Sequence, residues 1–279
     1  MTDLPHNFQT DTLAKIFPVD ALTVRLYDRA DELTTDAAKI AQRYLQNLLT
    51  QQATATVILA TGNSQIEFLS KLVNLGEIDW SRIVFFHLDE YLGIDANHPA
   101  SFRRYLCERV EQKVNPAAFH YIEGDTVQPL AECDRYTKLL LSQPIDLCCL
   151  GLGGNGHLAF NEPLLADFQD PYYVKLVKLE LSTRQQQVAQ GYFTNIEVVP
   201  QYAFTLTIPA ICLAHKIFCF APGKHKATAI QQTLEGAIAT SCPATILRSQ
   251  AQATLFLDAD SASLLRYCHA KAQRRKEGR

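Results

Sequence analysis

The most constraining feature of the sequence is a segment, residues 145–163, that passes from apolar residues through clustered glycines to two titratable side chains. Its apolar part, residues 145–150, is too short for an ordinary helix and is followed by glycine, which predicts a buried strand. The four glycines that follow within six positions suit a backbone that turns sharply or lies close to a ligand. His157 and Glu162 come after the turn and are candidates for acid–base chemistry. A glycine-rich surface turn would explain any one of these residues, but the whole string favours a functional loop.

Short apolar segments alternate with segments of helical periodicity along the rest of the chain. Strands are predicted at residues 22–27, 56–60, 82–90, 117–122, 173–179, 216–221 and 253–257, and helices at residues 31–51, 66–75, 101–114, 130–141, 183–192, 224–235 and 261–271. Residues 205–213 stay ambiguous because Pro209 interrupts either element. This alternation predicts the α/β class, with a mainly parallel, Rossmann-like sheet covered on both faces. We expect a single three-layer domain over residues 1–279, with its core at about 20–260.

The charge of the chain argues against nucleic acid and anionic membranes as partners. Charged residues make up 20% of the sequence, and the formal net charge is −3. Binding to a polyanion would call for an excess of positive charge. A small molecule is therefore the expected partner.

The positions of the cysteines and the lengths of the apolar segments indicate in which cellular compartment the protein is expected. The eight cysteines form no C-x-x-C pair, and several lie in strand-like apolar segments, where cysteine acts as a small hydrophobe. This pattern predicts a reducing compartment, with neither disulfides nor a zinc site. The first residues lack the apolar region of a signal peptide, and no apolar run reaches the length of a membrane span. We expect a cytoplasmic protein.

The turn after the predicted strand at residues 56–60 is a candidate anion site. It reads Thr61-Gly62-Asn63-Ser64 and leads into a predicted helix. Free backbone N–H groups at a helix start, together with two hydroxyls, suit a phosphate. The alternative is ordinary helix capping, which is common at such turns.

Further charged residues stand at other strand ends and helix starts. Asp89 and Glu90 end an apolar strand, and the periodicity of a strand points them to opposite sides, so that only one faces a ligand crevice. Lys224, Lys226 and Arg184 open predicted helices, where any of them could reach a phosphate. A solvated surface position is the alternative for each of these side chains.

These segments resemble blocks of a known enzyme family. Residues 88–93 and 98–102 resemble the aspartate-bearing signature of glucosamine-6-phosphate deaminases, and residues 151–163 resemble their histidine signature. Residues 199–205 and 223–227 match further blocks, so that the likeness covers roughly residues 20–260. The 6-phosphogluconolactonases share the fold, but in them Thr-Ala-Ser-Leu-Phe-Pro typically follows the histidine. Here Leu-Ala-Phe-Asn-Glu-Pro follows it, which fits the deaminase branch better.

The chain also departs from the deaminase pattern. Asn155 stands where the family usually has an aspartate, two residues before the histidine. It either contacts the imidazole or caps the glycine-rich turn. Gly191 stands where the family has a phosphate-binding arginine before an aromatic pair, and Arg184 is the nearest substitute. Residues 164–178 show no clear counterpart of the bacterial allosteric site. The chain is therefore expected to be a divergent member.

The resemblance implies that glucosamine 6-phosphate and water become fructose 6-phosphate and ammonia, without a metal or an organic cofactor. The implied site divides into two sets. The catalytic set is Asp89 as the carboxylate base, His157 as the proton shuttle of ring opening, Glu162 as its orienting acid, and Asn155. The substrate-binding set is Thr61, Gly62, Asn63, Ser64, Gly156, Arg184 and Lys226, which would hold the sugar and its phosphate.

Three functional alternatives stay open at this point. A lactonase of the same fold would use the same histidine on an ester. A sugar-phosphate sensor would bind without turnover. A related deaminase would act on a different phosphosugar. Assembly into a homo-oligomer is also left open.

Overall fold

A computed structural model describes residues 14–266 of the chain. The strands are β1 (Lys15–Val19), β2 (Leu22–Tyr27), β3 (Ala55–Leu59), β4 (Ile83–His87), β5 (Asp89–Tyr91), β6 (Ala118–Phe119), β7 (Leu147–Gly151), β8 (Val174–Lys178), β9 (Tyr202–Leu206), β10 (Lys216–Ala221) and β11 (Ala253–Asp258). The α-helices are α1 (Ala30–Gln51), α2 (Asn63–Asn74), α3 (Phe102–Leu106), α4 (Gln112–Val114), α5 (Pro129–Leu140), α6 (Leu181–Ala189), α7 (Ile208–Cys212) and α8 (Ala227–Glu235). A π-helical turn, Cys107–Glu111, joins α3 to α4.

The strands form two sheets. The larger one has the order β1-β2-β11-β10-β7-β3-β4-β6, and every pair in it is parallel except β1 with β2. The smaller one has the order β5-β9-β8 and is antiparallel. The mainly parallel sheet that the alternating pattern predicts is therefore confirmed.

Alternate side chains of the central strands build two separate cores. Val57, Cys149 and Phe220 pack on one face against apolar residues of α1 and α2. Ile58, Cys148 and Cys219 pack on the other face against α5, α7 and α8, as do their neighbours along the strands. Because both faces are covered, the central strands read as continuous apolar runs. The α/β class is confirmed.

The predicted strand at residues 82–90 divides in the structure. Its first part is β4, which pairs with β3 in the large sheet. At Leu88 the chain changes partners: the Leu88 N–H still donates to the carbonyl of Leu59, whereas its own carbonyl accepts from Leu206 in β9. Asp89 therefore begins a strand of the small sheet. A single strand was the wrong prediction, because a distant segment supplies the new partner.

Three other segments differ from the sequence-based prediction. Strand β1 precedes residues 22–27, which were predicted to be the first strand. The ambiguous residues 205–213 contain the end of β9 and the short helix α7, whose cap is Thr207 and whose first turn holds Pro209, a position that needs no N–H donor. The predicted helix at residues 261–271 is a turn at residues 261–264, and its part beyond residue 266 lies outside the described residues, as does the basic tail.

The sheet order determines where a site can form. The carboxyl ends of β10, β7 and β3 are adjacent, because these three strands are neighbours in the sheet. Ligands bind at this edge of open α/β sheets. The small sheet begins directly after β4 and so brings Asp89 to the same edge. Between residues 14 and 266, the structure contains no helix with the length and apolarity to cross a membrane.

Candidate active site

A cavity of about 330 Å³ opens at the carboxyl edge of the large sheet. Seven residues that the sequence predicts for the site line it: Thr61, Gly62, Asn63, Ser64, Asp89, His157 and Lys226. Its volume lies within the usual range of small-molecule sites, roughly 300–1,000 Å³. The strand ends thus bring together groups that are up to 165 positions apart in the sequence (226 − 61).

The turn between β3 and α2 is held in place from two sides. Gly62 has a φ of +93°, a left-handed backbone conformation that glycine adopts without strain, and α2 begins at the next residue. The hydroxyl of Tyr105 donates to the carbonyl of Gly62 at 3.0 Å. The hydroxyl of Tyr192 donates to Oδ1 of Asn63 at 3.1 Å. The first N–H groups of α2 are thereby held at the cavity wall beside the hydroxyl of Ser64.

Lys226 supplies a cation to the same cavity. It ends a 3-10 turn, Lys224–Lys226, directly after β10, and its side chain is partly buried. Burial lowers the pKa of Lys226. Among residues 14–266, no carboxylate forms a salt bridge with Lys226. Its ammonium group is therefore available for an anionic ligand.

Three side chains of the glycine-rich segment form a connected polar group. Nδ1 of His157 lies 2.8 Å from Oδ1 of Asn155 and 3.2 Å from Oε1 of Glu162. Nδ2 of Asn155 donates to Oε2 of Glu162 at 2.6 Å. Both neighbours of Nδ1 are acceptors, so Nδ1 carries a hydrogen and Nε2 of the neutral ring keeps its lone pair. His157 can thus accept a proton at Nε2.

Glu162 is the buried anchor of this group. Burial acts to raise its pKa, but hydrogen bonds from His157, Thr183 and Asn155 outweigh burial and lower the pKa of Glu162 to about 2. The Thr183 hydroxyl donates to Oε1 at 2.7 Å. Glu162 is therefore a carboxylate at neutral pH, and it stabilises the ring of His157 when that ring becomes charged.

Asp89 and Glu90 point in different directions, as strand periodicity predicts. Asp89 is 8% exposed and lines the cavity. Burial, and after it the charge of Glu90, raise the pKa of Asp89 to about 8. Glu90 is fully buried and accepts hydrogen bonds from the Ser101 hydroxyl and the Arg103 N–H. Asp89 is thus the acid that can meet a ligand, with a pKa near that of an effective general base.

Comparisons with known proteins agree with this geometry. A family model for glucosamine-6-phosphate isomerases/6-phosphogluconolactonase matches residues 28–256. The chain belongs to this family. A glucosamine-6-phosphate deaminase of Listeria monocytogenes is 33% identical over 82% of this chain and 95% of its own length. One of Streptococcus pneumoniae is 35% identical over 84% of this chain and 97% of its own length.

Solved structures of the isomerase/lactonase family support the same assignment. A monomeric glucosamine-6-phosphate deaminase is 31% identical, covers 86% of this chain and 99% of its own, and gives a TM-score of 0.80. A 6-phosphogluconolactonase from Thermotoga maritima gives a TM-score of 0.69 over 85% of this chain and 99% of its own, at 18% identity. The second likeness shows the shared fold alone.

Two predicted substrate-binding residues of this family member lie elsewhere. Nη2 of Arg184 donates to the carbonyls of Ile196 at 2.6 Å and Val199 at 3.0 Å, so its guanidinium ties down the loop after α6. Gly156 packs against Cys242, and a Cβ there would lie 2.3 Å from its sulfur. Neither residue lines the cavity. Both residues are committed to contacts within the protein, and their assignment to substrate binding stays a prediction that this geometry does not favour.

The structure also changes the role of Asn155. Oδ1 of Asn155 lies beside Nδ1 of His157 and also accepts the backbone N–H of His157 at 3.1 Å, so Asn155 both contacts the imidazole and caps the turn. Asn155 does not line the cavity and is therefore a positioning residue, as is Glu162. A positioning residue acts on the substrate through another side chain.

Several cavity residues of this family member escaped the sequence analysis. They are Ser101, Tyr105, Gln186, Gln187, Gln190, Tyr192 and His225. Most come from segments far from the strand ends, where polar side chains carry no distinguishing pattern. His225 and Ser101 differ from these, because they lie inside blocks that the sequence had already singled out, residues 223–227 and 98–102. His225 also stands between two lysines, and these positions were the available signal.

We expect Gly153→Ala to lower kcat by about tenfold to a hundredfold while phosphosugar affinity stays within about twofold. A Cβ at Gly153 would lie 2.2 Å from Cε1 of His157, so the ring must move. A shift of about 1 Å in a catalytic group can cost about a hundredfold in rate. Steady-state kinetics test this, with Gly154→Ala as the matched control, since a Cβ at Gly154 meets nothing within 4 Å. Equal losses in both variants would contradict the prediction.

We expect Asn155→Asp to extend the charged form of His157 to higher pH by about one to two pH units. One oxygen of the new carboxylate would stand beside the ring. The other would take the place of Nδ2 of Asn155, which lies 2.6 Å from Oε2 of Glu162. Two carboxylates at this distance repel each other, and a protonated imidazole between them relieves the repulsion. An NMR titration of the His157 ring in both proteins measures the change. Identical midpoints would exclude this electrostatic effect.

Proposed function

We propose that the chain is a glucosamine-6-phosphate deaminase, which converts glucosamine 6-phosphate and water into fructose 6-phosphate and ammonia. One observation carries the proposal: a single cavity joins an anion-binding turn and Lys226 to His157 and Asp89. A phosphate at one end would hold the sugar so that its C1 and C2 lie near the acid–base groups. The names of the relatives from Listeria monocytogenes and Streptococcus pneumoniae support the same activity.

Ring opening is the step assigned to His157. Its Nε2 accepts the proton of the C1 hydroxyl, and the ring oxygen receives a proton as the C1–O5 bond breaks. Glu162 and Asn155 hold the imidazole during both transfers through Nδ1. An imidazole can both accept and donate a proton, which suits this role.

Isomerisation is the step assigned to Asp89. Its carboxylate removes the C2 proton of the open-chain 2-ammonio aldehyde while O1 gains a proton, and the ammonium group releases one N–H proton to water, which gives a neutral enolamine. Return of a proton to C1 yields an iminium at C2. Water then adds to C2 and ammonia leaves, so that the ketose remains. The positive charge of the substrate's amine favours the carboxylate form of Asp89, whose pKa burial has raised.

The phosphate end supplies binding energy remote from the reacting atoms. The N–H groups at the start of α2, the Ser64 hydroxyl and Lys226 are the donors that would surround a phosphate. Such contacts raise the rate only by positioning C1 and C2, because they take no part in the chemistry.

The activity is tested by measuring ammonia release from a panel of substrates. The panel contains glucosamine 6-phosphate, its N-acetyl derivative, other hexosamine 6-phosphates and unphosphorylated glucosamine, with 6-phosphogluconolactone in a separate hydrolysis assay. We expect turnover of glucosamine 6-phosphate. Hydrolysis of the lactone without ammonia release would establish the lactonase alternative, and binding without any turnover would establish a sensor.

We also propose that the chain is one domain and acts in the cytoplasm. The large sheet takes its strands from residues 15 to 258, which supports a single domain. The seven cysteines of the described part of the chain are free thiols, which supports a reducing compartment. Light scattering on the purified protein decides between a monomer and a homo-oligomer.

A further inference from the structure

The charge balance of the cavity calls for a second cation. A sugar phosphate carries about −1.5 to −2 charges at neutral pH. The cavity offers it one lysine, Lys226, and Arg184 is committed to backbone carbonyls. Nδ1 of His157 is paired with Glu162, which does not line the cavity. His225 is the remaining basic side chain of the cavity wall, within the described residues.

His225 stands on a well-anchored turn. It lies between Lys224 and Lys226 in the 3-10 turn after β10, and its ring folds back over Gly223, where a Cβ would be 3.0 Å from Nδ1. The N–H of Gly223 donates to both carboxylate oxygens of Asp258, at 3.1 and 3.0 Å. His225 lines the cavity, whereas Lys224 does not.

The charged neighbours of His225 are few. Lys226 repels a protonated ring and Asp258 attracts one. The turn at residues 61–64, which lines the same cavity, carries no titratable side chain. A bound phosphate would therefore be the strongest charge that the ring of His225 meets.

We propose that His225 is a second phosphate ligand and that a phosphosugar binds to this cavity together with a proton. The inference rests on the proposed function in one respect, that the ligand carries a phosphate monoester. His225 thereby supplies to the phosphate the second positive charge that Arg184 does not supply.

The electrostatics of the empty cavity make this binding depend on pH. Burial, and then the charge of Lys226, lower the pKa of His225 when the cavity is empty. A phosphate dianion in contact with the ring favours the charged form and raises that pKa on binding. The affinity that protonated His225 adds is fully present below the pKa of His225 in the empty protein. It is lost as the pH rises through the higher pKa that His225 has in the complex. The phosphosugar therefore binds more weakly in alkaline solution.

Two substitutions and one control separate this role from a structural one. His225→Gln keeps a hydrogen-bonding side chain without charge, His225→Lys gives a permanent cation, and Lys224→Gln removes a cation of the same turn that lies outside the cavity. We expect His225→Gln to raise KM for glucosamine 6-phosphate about tenfold at pH 6.5, with kcat within about threefold, and to change it little at pH 8.5. His225→Lys should show a flat, low KM over this range. Lys224→Gln should match the parent protein at both pH values. Titration of the phosphate itself is common to all the proteins and cancels in the comparison.

A binding experiment makes the inference independent of turnover. Glucitol 6-phosphate carries the phosphate but has no aldehyde to isomerise, and calorimetry in two buffers of different ionisation enthalpy measures the protons taken up on binding. Asp89, whose pKa is raised to about 8, also titrates near pH 7.5 in both proteins, so we expect proton uptake beyond that of the ligand to be larger in the parent protein than in His225→Gln. Excess uptake without ammonia release would overturn the deaminase activity and leave this inference standing. Equal uptake in both proteins, or a loss of affinity in His225→Gln that is the same at pH 6.5 and 8.5, would overturn the inference.

Discussion

Replacing Asp89 with asparagine is expected to lower kcat by about two to four orders of magnitude, the usual cost of losing a general base. The amide has the shape of the protonated acid, and the raised pKa of Asp89, about 8, shows that the cavity tolerates that neutral form. Folding and phosphosugar affinity should therefore survive. Steady-state kinetics and calorimetry with glucitol 6-phosphate measure the two quantities separately. Near-normal turnover in Asp89→Asn would remove this residue from the mechanism.

The same pKa gives the parent enzyme a characteristic pH dependence. A general base acts only when it is deprotonated, and the profile of kcat/KM reports the free enzyme. Since burial and the charge of Glu90 raise the pKa of Asp89 to about 8, kcat/KM should rise with pH up to about that value. The profile is best measured in His225→Lys, whose phosphosugar affinity should not vary with pH, and a profile of that variant that is flat between pH 6 and 8 would show that another group is the base.

Replacing Lys226 with alanine is expected to weaken binding of every phosphorylated sugar by about tenfold to a hundredfold, the range for a hydrogen bond to a charged group. Lys226 has no carboxylate partner among the described residues, so its removal leaves no opposing charge unpaired. Affinity for unphosphorylated glucosamine should hardly change, because the lost contact lies away from C1 and C2. Calorimetry with the phosphorylated and neutral sugars tests this.

Lys224→Ala is the matched control for that substitution. Lys224 belongs to the same 3-10 turn but lies outside the cavity wall. The Lys224→Ala variant should bind the phosphorylated and the neutral sugar as the parent protein does. Equal loss of the phosphorylated and the neutral sugar in Lys226→Ala would mean that this lysine supports the turn and does not bind phosphate.

The resemblance to the deaminases implied that His157, Asp89, Lys226 and the turn at residues 61–64 form one site, and one physical rule explains why they meet. Each follows or ends an apolar strand, and the carboxyl ends of parallel strands meet at one edge of a sheet. The rule requires only that strands be recognised, which continuous apolar runs allow. It holds here because β3, β7 and β10 are neighbours.

The same rule could not predict what distant segments would do. Arg184 was placed near the phosphate by its position in the chain, but the carbonyls that hold it belong to residues 196 and 199 in a loop without pattern. The break between β4 and β5 depends in the same way on β9, more than 110 positions later (202 − 91). Charge and periodicity show which residues are suited to a strand or to the edge of the sheet. Which segment such a residue finally contacts depends on the tertiary fold, and the local sequence does not show it.

The central claim, that deamination is coupled to isomerisation, is tested most directly by following [2-13C,15N]glucosamine 6-phosphate by NMR with the purified protein. Ammonium and fructose 6-phosphate should appear in equal amounts, with the labelled carbon changing from the amine-bearing carbon of the aldose to the anomeric carbon of the ketose. Ammonium release with the sugar remaining an aldose, or no ammonium at all while the protein binds the sugar, would contradict the central claim.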